Sequence, residues 1–270
     1  MLNIKPIPAF TDNYIWMLQK DSSRQVVLVD PGDEKKIMSF LEQASLLPVA
    51  ILITHQHYDH TGGVAALVKR YPGIKVICHN SMVSKIPLSI DLPIAEFINC
   101  PVTDGDHVAI AELDIAFEVI AIPGHTLDHV AYFGEGVLFC GDTIFGCGCG
   151  RLFSGTAQQM TASMERLSTL PGETQVYTAH EYTIDNIGFA KWVEPDNTDI
   201  TVRDNEDMAK QEKGIPTIPS TLAIELKTNP FMRYKVPQVR QAAEKYVGHG
   251  LDTDADVFAA IRQWKDREYD

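Results

Sequence analysis

The stretch from Ile53 to Gly63, Ile-Thr-His-Gln-His-Tyr-Asp-His-Thr-Gly-Gly, sets three histidines and an aspartate within six positions, His55 to His60. That is a third of the nine histidines in a chain of 270 residues. Neutral imidazole nitrogens and carboxylate oxygens are the donors that borderline divalent cations accept readily. His55 and His57 alternate, so an extended segment turns both imidazoles toward one point. Asp59 and His60 are adjacent, point differently and suit a second centre. Four donors do not fill two coordination shells, and three further candidates each follow an apolar run. His125 sits in the Pro-Gly turn after Phe117–Ile122, Asp142 follows Val137–Cys140, and His180 closes Val176–Ala179. A carboxylate can bridge two cations, which a neutral imidazole cannot. The expected set is therefore His55, His57 and His125 on one ion, Asp59, His60 and His180 on the other, and Asp142 between them. His129 is a candidate for orienting one of these ligands, whereas His79, His107 and His249 read as ordinary core or surface histidines.

The elements that must position these residues are short β-type runs alternating with helix-like segments. Val26–Asp30 ends on Asp30-Pro31-Gly32, a turn signal, and Val49–Thr54 is the continuous apolar run of a strand buried on both faces. Ile74–Cys78, Phe117–Ile122 and Gly136–Cys140 follow the same pattern, with helical segments over 33–45 and 62–73. Such alternation predicts a layered α/β domain, whose ligand sites lie beyond the carboxyl ends of the strands. The character changes after about residue 182. Residues 194–205 read as a polar linker or turn, and helical periodicity dominates beyond them with no strand expected. The predicted organisation is a catalytic domain over 1–182 and a helical domain over 183–270.

The bulk numbers narrow the function. Hydrophobic residues make up 45% and charged residues 22% of the chain, enough to bury a substantial core. Thirty-six acids against 23 bases give a net charge of −13, which argues against a nucleic-acid backbone as partner but leaves room for a small anion on a local cationic cluster. Five cysteines at irregular spacing do not form a disulfide framework, and reduced thiols in a cytoplasmic protein are the simpler reading. Prolines and an aspartate interrupt the N-terminal stretch where an export signal would be apolar, and no apolar run reaches the roughly 20 residues of a membrane span. A monomer acting on a small molecule, without nucleic acid or membrane, is expected.

Thr-His-x-His-x-Asp-His, here Thr54 to His60, is similar to the signature of the metallo-β-lactamase superfamily, and the later PGHT, GDT and AHEY segments fall in that superfamily's order. The chain resembles the glyoxalase II (hydroxyacylglutathione hydrolase) family more specifically, through FTDNYIW (10–16), GCGRLFSGT (147–155), HEYTIDNIGFA (180–190), PSTLAIELKTNPFMR (219–233) and IRQWKD (261–266). The resemblance implies an αββα sandwich of the metallo-β-lactamase type with a binuclear metal centre, followed by a helical glutathione-binding domain. The implied glutathione contacts are Arg151, Tyr182, Arg262 and Lys265, with Phe153 where a tyrosine is common. Asp128 is a second departure, standing where the family often has a small residue.

Two adjacent cations lower the pKa of a shared water from 15.7 to near neutrality, so a hydroxide held between metals, with Asp59 and Asp142 among the residues holding it, would be the nucleophile rather than a side chain. Zinc is the expected metal, with iron or manganese as alternatives. A thioester suits such a site because its thiolate leaves without a dedicated general acid. The expected reaction is hydrolysis of an S-(2-hydroxyacyl)glutathione, chiefly S-D-lactoylglutathione, to glutathione and D-lactate, the second step of methylglyoxal detoxification. A glutathione persulfide dioxygenase holding one iron with His55, His125 and Asp142 is the rival on the same fold, disfavoured by the long helical C-terminal unit. A non-catalytic metal-binding module is the rival of another class; structural zinc sites are usually cysteine-rich, unlike this set.

Overall fold

The computed structural model describes residues 2–21, 23–83 and 94–270. Two compact units emerge: Met1–Ala121 with Asp128–Gly141, and Ile122–Leu127 with Asp142–Asp270.

In the first unit, strands β1 (Leu2–Ala9), β2 (Asn13–Lys20), β3 (Gln25–Val29), β4 (Leu47–Leu52), β5 (Lys75–His79) and β6 (Cys100–Val102) form one sheet in that order. The two hairpin pairings at its start are antiparallel, from Leu2 opposite Lys20 to Ala9 opposite Asn13 and then β2 on β3. The later pairings, β3 to β4, β4 to β5 and β5 to β6, are parallel. Parallel neighbours need crossovers, and helices α1 (Glu34–Ala44), α2 (Tyr58–Thr61) and α3 (Val64–Arg70) provide two of them. Asp33 starts α1 by accepting the Lys36 amide at 3.0 Å, and Ser45 in the left-handed conformation ends it. Ile37 and Leu41 of α1 and Val64 and Leu67 of α3 pack with Val26, Leu28, Ile51, Ile53 and Val76. Alternate residues Val27, Val29, Ala50 and Leu52 point the other way and are equally buried, which is why these strands read as continuous apolar runs.

A second sheet in this unit is the antiparallel meander β7 (His107–Ile110), β8 (Ile115–Ala121), β9 (Val130–Gly134) and β10 (Val137–Phe139). Tyr132 of β9 reaches the first sheet, where its hydroxyl lies 2.9 Å from the Ile53 carbonyl and 3.1 Å from that of Ile77. A buried phenol with that contact pins the carboxyl ends of β4 and β5. Strands β1, β2, β6, β7 and β9 add to those read from the sequence.

The second unit opens with the two-residue strands β11 (Ile144–Phe145) and β12 (Gly148–Cys149) and helix α4 (Ala157–Ser168), whose Thr156–Gln159 capping box satisfies its first turn. Strand β13 (Gln175–Tyr177) pairs antiparallel with β14 (Ser220–Thr221). Helices α5 (Thr183–Val193), α6 (Thr198–Gln211), α7 (Leu222–Thr228), α8 (Pro237–Val247) and α9 (Asp254–Trp264) make up most of the rest, and one π turn, Lys265–Tyr269, continues α9. Phe189 stacks on Phe231 at 6.0 Å, and Phe231 meets Phe258 edge-on at 5.5 Å.

Two expectations are corrected here. The polar stretch 194–205 is not a linker beyond Asn197: α6 starts at Thr198, with Asn197 accepting the Asp199 amide at 3.0 Å. Its polarity reflects a buried ion-pair network, because Arg203 meets Asp207 at 3.3 Å and Glu225 of α7 at 2.7 Å. A strand also follows residue 183, the short β14, whose two residues leave no periodicity to read.

Candidate functional site

In the first unit, β4 stops at Leu52, and the chain emerges at the sheet's carboxyl end as Ile53-Thr54-His55. His55 and His60 are fully buried. Both are oriented by Asp30, which sits just past β3 with a φ of 51°. Its Oδ1 accepts the Thr54 amide at 2.8 Å; its Oδ2 accepts the Thr54 hydroxyl at 2.8 Å and the His60 Nδ1 proton at 3.0 Å. The Thr54 hydroxyl spends its one proton on Asp30, so at 3.1 Å it accepts from His55 Nδ1. Both imidazoles thereby keep Nε2 as an acceptor, the tautomer a metal ligand requires. His55 Nε2 lies 3.0 Å from His57 Nδ1, and His60 Nε2 lies 3.4 Å from Asp59 Oδ2. Asn13 of β2 donates to Asp59 Oδ2 at 2.8 Å. His129 stacks on His55, ring centroids 4.6 Å apart and 12° from parallel. Asp30-Pro31-Gly32 packs directly on this loop: a Cβ on Gly32 would stand 1.7 Å from the Asp59 carbonyl oxygen, so only glycine fits.

The second unit carries the other three residues, and they too converge. His125 Nε2 lies 3.5 Å from Asp142 Oδ2, and His180 Nε2 lies 3.5 Å from Asp142 Oδ1. One imidazole thus faces each oxygen of a single carboxylate, the arrangement of a bridging ligand. His125 Nδ1 donates to the Arg151 carbonyl at 2.7 Å, which again leaves Nε2 as acceptor. Tyr182 stacks on His180 at 4.8 Å and 10°, and Phe153 meets the His125 ring edge-on at 5.2 Å. A Cβ on Gly150 would stand 2.1 Å from the Asp142 carbonyl oxygen, so the glycines around Cys147 and Cys149 serve close backbone approach. Burial pushes the Cys147 thiol up to about 12 and the Cys149 thiol to about 11, so both are protonated thiols at neutral pH.

These spacings test whether a divalent ion fits. Two nitrogens bonded at 2.0–2.1 Å to one tetrahedral zinc stand roughly 3.3 Å apart. The donor pairs within each unit lie between 3.0 and 3.5 Å, and the second nitrogens of His55, His60 and His125 are engaged by protein groups. His and Asp donors of that geometry fit a divalent cation.

The expected glutathione contacts gather in the second unit. Arg262 and Lys265 are only 4% and 5% exposed, so they are not the solvated face that their spacing on a helix suggests. Arg262 donates to the Cys149 carbonyl at 3.0 Å and lies over the Phe231 ring at 5.1 Å. Arg151 is the open member, its side chain 57% exposed.

The model of the metallo-β-lactamase superfamily matches residues 10–180, and that of the hydroxyacylglutathione hydrolase C-terminus matches 181–268. A hydroxyacylglutathione hydrolase of Nitrosomonas eutropha is 43% identical over 98% of each chain. One of Photobacterium profundum is 46% identical over 98% of this chain and 99% of its own. This chain belongs to the hydroxyacylglutathione hydrolase family. Its fold is that of the metallo-β-lactamase superfamily with a helical C-terminal region, as the resemblance implied. The crystal structure of ETHE1 from Myxococcus xanthus shares that fold, with a TM-score of 0.66 at 23% identity over 100% of this chain and 93% of the other. No helix among the described residues is long and apolar enough to cross a membrane.

Within a hydroxyacylglutathione hydrolase, the sequence pointed to the candidate donors but not to Asp30 and the Arg151 carbonyl, which orient their imidazoles. Asp30 read only as a turn, and Asn13 only as part of a family segment. The signal for Asp30 was its place at a strand's carboxyl end beside the strand bearing Thr54.

Proposed function

We propose that this chain hydrolyses the thioester of S-(2-hydroxyacyl)glutathione, S-D-lactoylglutathione foremost, releasing glutathione and the 2-hydroxy acid. The observation that carries the reading is Asp142 facing the Nε2 atoms of His125 and His180 at 3.5 Å each, in a chain of this family. His55, His57, Asp59 and His60 of the first unit and His125, Asp142 and His180 of the second would hold two divalent ions, zinc foremost. Asp59 and Asp142 are the carboxylates closest to the chemistry. Bound metal would lower the pKa of a water and polarise the thioester carbonyl.

The rest falls to the chain's own residues. Asp30 and the Arg151 carbonyl fix the imidazole tautomers so that Nε2 faces the centre. Arg151, Arg262 and Lys265 would take a carboxylate of the glutathione moiety, and charge-assisted hydrogen bonds from two buried cations and one exposed one suit that task. Tyr182 and Phe153 flank His180 and His125 with aromatic faces, a wall for the thioester and acyl group. Residues 1–182 would thus carry the chemistry and 183–270, with Arg151, the glutathione contacts.

The test is turnover of S-D-lactoylglutathione by purified protein, followed by thioester loss, before and after chelation. Turnover that chelation abolishes and added zinc restores is expected. A folded, metal-replete protein without turnover would discard the assignment while leaving the fold.

A further inference from the structure

The cations Arg151, Arg262 and Lys265 already hold an anion that belongs to the protein. Asp270 Oδ2 lies 3.2 Å from Arg151 Nη2 and 3.0 Å from Arg262 Nη2, while Oδ1 accepts a hydrogen bond from Lys265 Nζ. One carboxylate therefore engages all three groups assigned to the substrate's carboxylate. We propose that Asp270 is an intramolecular competitor for this anion site, whose side chain a carboxylate-bearing substrate must displace. The inference rests on the reading of Arg151, Arg262 and Lys265 as glutathione contacts.

The alternative role, an organiser that holds the cations in place, is less consistent with the contacts. Asp266 independently meets Arg262 Nη2 at 2.9 Å and Arg151 Nε at 3.4 Å. Lys265 keeps Asp185 at 3.7 Å. Each cation therefore retains a carboxylate when Asp270 leaves. Arg262 is further fixed by the Cys149 carbonyl at 3.0 Å and by the Phe231 ring, and Lys265 by the Tyr269 ring at 5.4 Å. Asp270 alone of these carboxylates meets all three cations, and what it adds to the pairs they keep is negative charge at the open side, next to the exposed Arg151. Arg262 Nε has no acceptor among the described residues, so the cluster retains a buried donor that Asp270 does not satisfy.

Displacement needs no unfolding. Tyr269 is anchored by its hydroxyl to the Asp185 carbonyl at 2.9 Å and by ring contacts to Phe189 and Trp192 at 5.6 and 5.0 Å. The π turn holds the Asp270 amide on the Lys265 carbonyl at 2.9 Å. With Tyr269 and the Asp270 amide so anchored, the displacement proposed is of the Asp270 side chain alone. Although burial works against its charge, Lys265, Arg262 and Arg151 hold its carboxyl below the ordinary range, so the competitor is anionic at neutral pH.

A competitor that fills the site nine-tenths of the time raises the apparent dissociation constant about tenfold. Calorimetric titration of the metal-loaded full chain with glutathione, alongside glutathione amidated at both of its carboxylates, reads this directly. Asp270→Asn is expected to tighten glutathione about threefold to tenfold and to lower the KM for S-D-lactoylglutathione by the same factor. The amidated form, which brings no carboxylate to the cations, should gain nothing. Arg151→Ala separates the two readings: it should weaken glutathione binding whatever Asp270 does. If Arg151→Ala weakens binding while Asp270→Asn leaves it unchanged or weaker, Asp270 is not a competitor and the glutathione site stands. If neither variant moves the dissociation constant, the glutathione site itself is misplaced and the inference falls with it.

Discussion

Asp30 shows how a single carboxylate can govern a site without touching the reacting atoms. It accepts from the Thr54 amide, the Thr54 hydroxyl and His60 Nδ1, so it sets the tautomers of His60 directly and of His55 through Thr54. Asparagine has the same shape but one acceptor oxygen in place of two. Asp30→Asn therefore leaves either Thr54 or His60 facing an amide NH2, and the imidazoles lose the constraint that presents Nε2. Metal-orienting partners of this kind typically contribute 10- to 100-fold in affinity or activity. We expect Asp30→Asn to weaken zinc binding about 10- to 100-fold, measured by competition with a chelating dye, with the melting temperature of the chelated protein little changed. Full zinc affinity in the variant would show that the first-unit histidines orient themselves. The donors were legible in the sequence because metal chemistry restricts residue types and because each follows an apolar run. Asp30 was not, because its partners lie 24 and 30 residues away, a separation no local pattern encodes.

Among the elements, α6 and α7 show where polarity misleads. A helix whose buried positions include Ile200, Arg203 and Asp207 does not display an apolar stripe, so residues 194–205 read as a linker. The stabilising contact is instead a network around Glu225. Its carboxylate accepts from Arg203 at 2.7 Å, from the Cys147 amide at 3.0 Å and from Asn229 at 3.1 Å, tying α6, α7 and the turn between β11 and β12 together. Burial works against the Arg203 charge, but Glu225 and its neighbours hold the guanidinium's pKa above its ordinary value. Removing one partner of such a pair strands a buried cation, at a cost of about 3–5 kcal/mol. Glu225→Ala should lower the unfolding free energy by that amount, read in urea as a lower midpoint at an unchanged slope. A loss below about 1 kcal/mol would mean that water or Asp207 compensates Arg203. The strands of the first sheet were legible for the opposite reason: both faces are covered, so sequence and burial coincide over Val26–Val29 and Ala50–Leu52.

For the whole molecule, the informative balance is between an acidic chain and the cation it is built to hold. With a net charge of −13, the native state concentrates negative charge, and Asp30, Asp59 and Asp142 all sit among the candidate ligands or their supports. The sequence showed that excess but not its placement: the acids at 266 and 270 face the very cations expected to bind substrate. A divalent ion relieves part of this repulsion only when the donors are assembled, so it binds the folded chain and not the unfolded one. Such a ligand stabilises by about 2.7 kcal/mol when its free concentration is 100 times its dissociation constant. A chain of this length has an unfolding entropy of roughly 0.6 kcal/mol per degree, from about 2.1 cal/mol/K per residue. Zinc at that concentration should then raise the melting temperature by on the order of 5 °C over chelated protein. The shift should grow with the logarithm of free zinc and shrink in Asp142→Asn, whose amide is a poorer metal donor than the carboxylate facing His125 and His180. A melting temperature independent of zinc would mean that these histidines and aspartates are held by the protein's own hydrogen bonds and do not select the folded state through a metal.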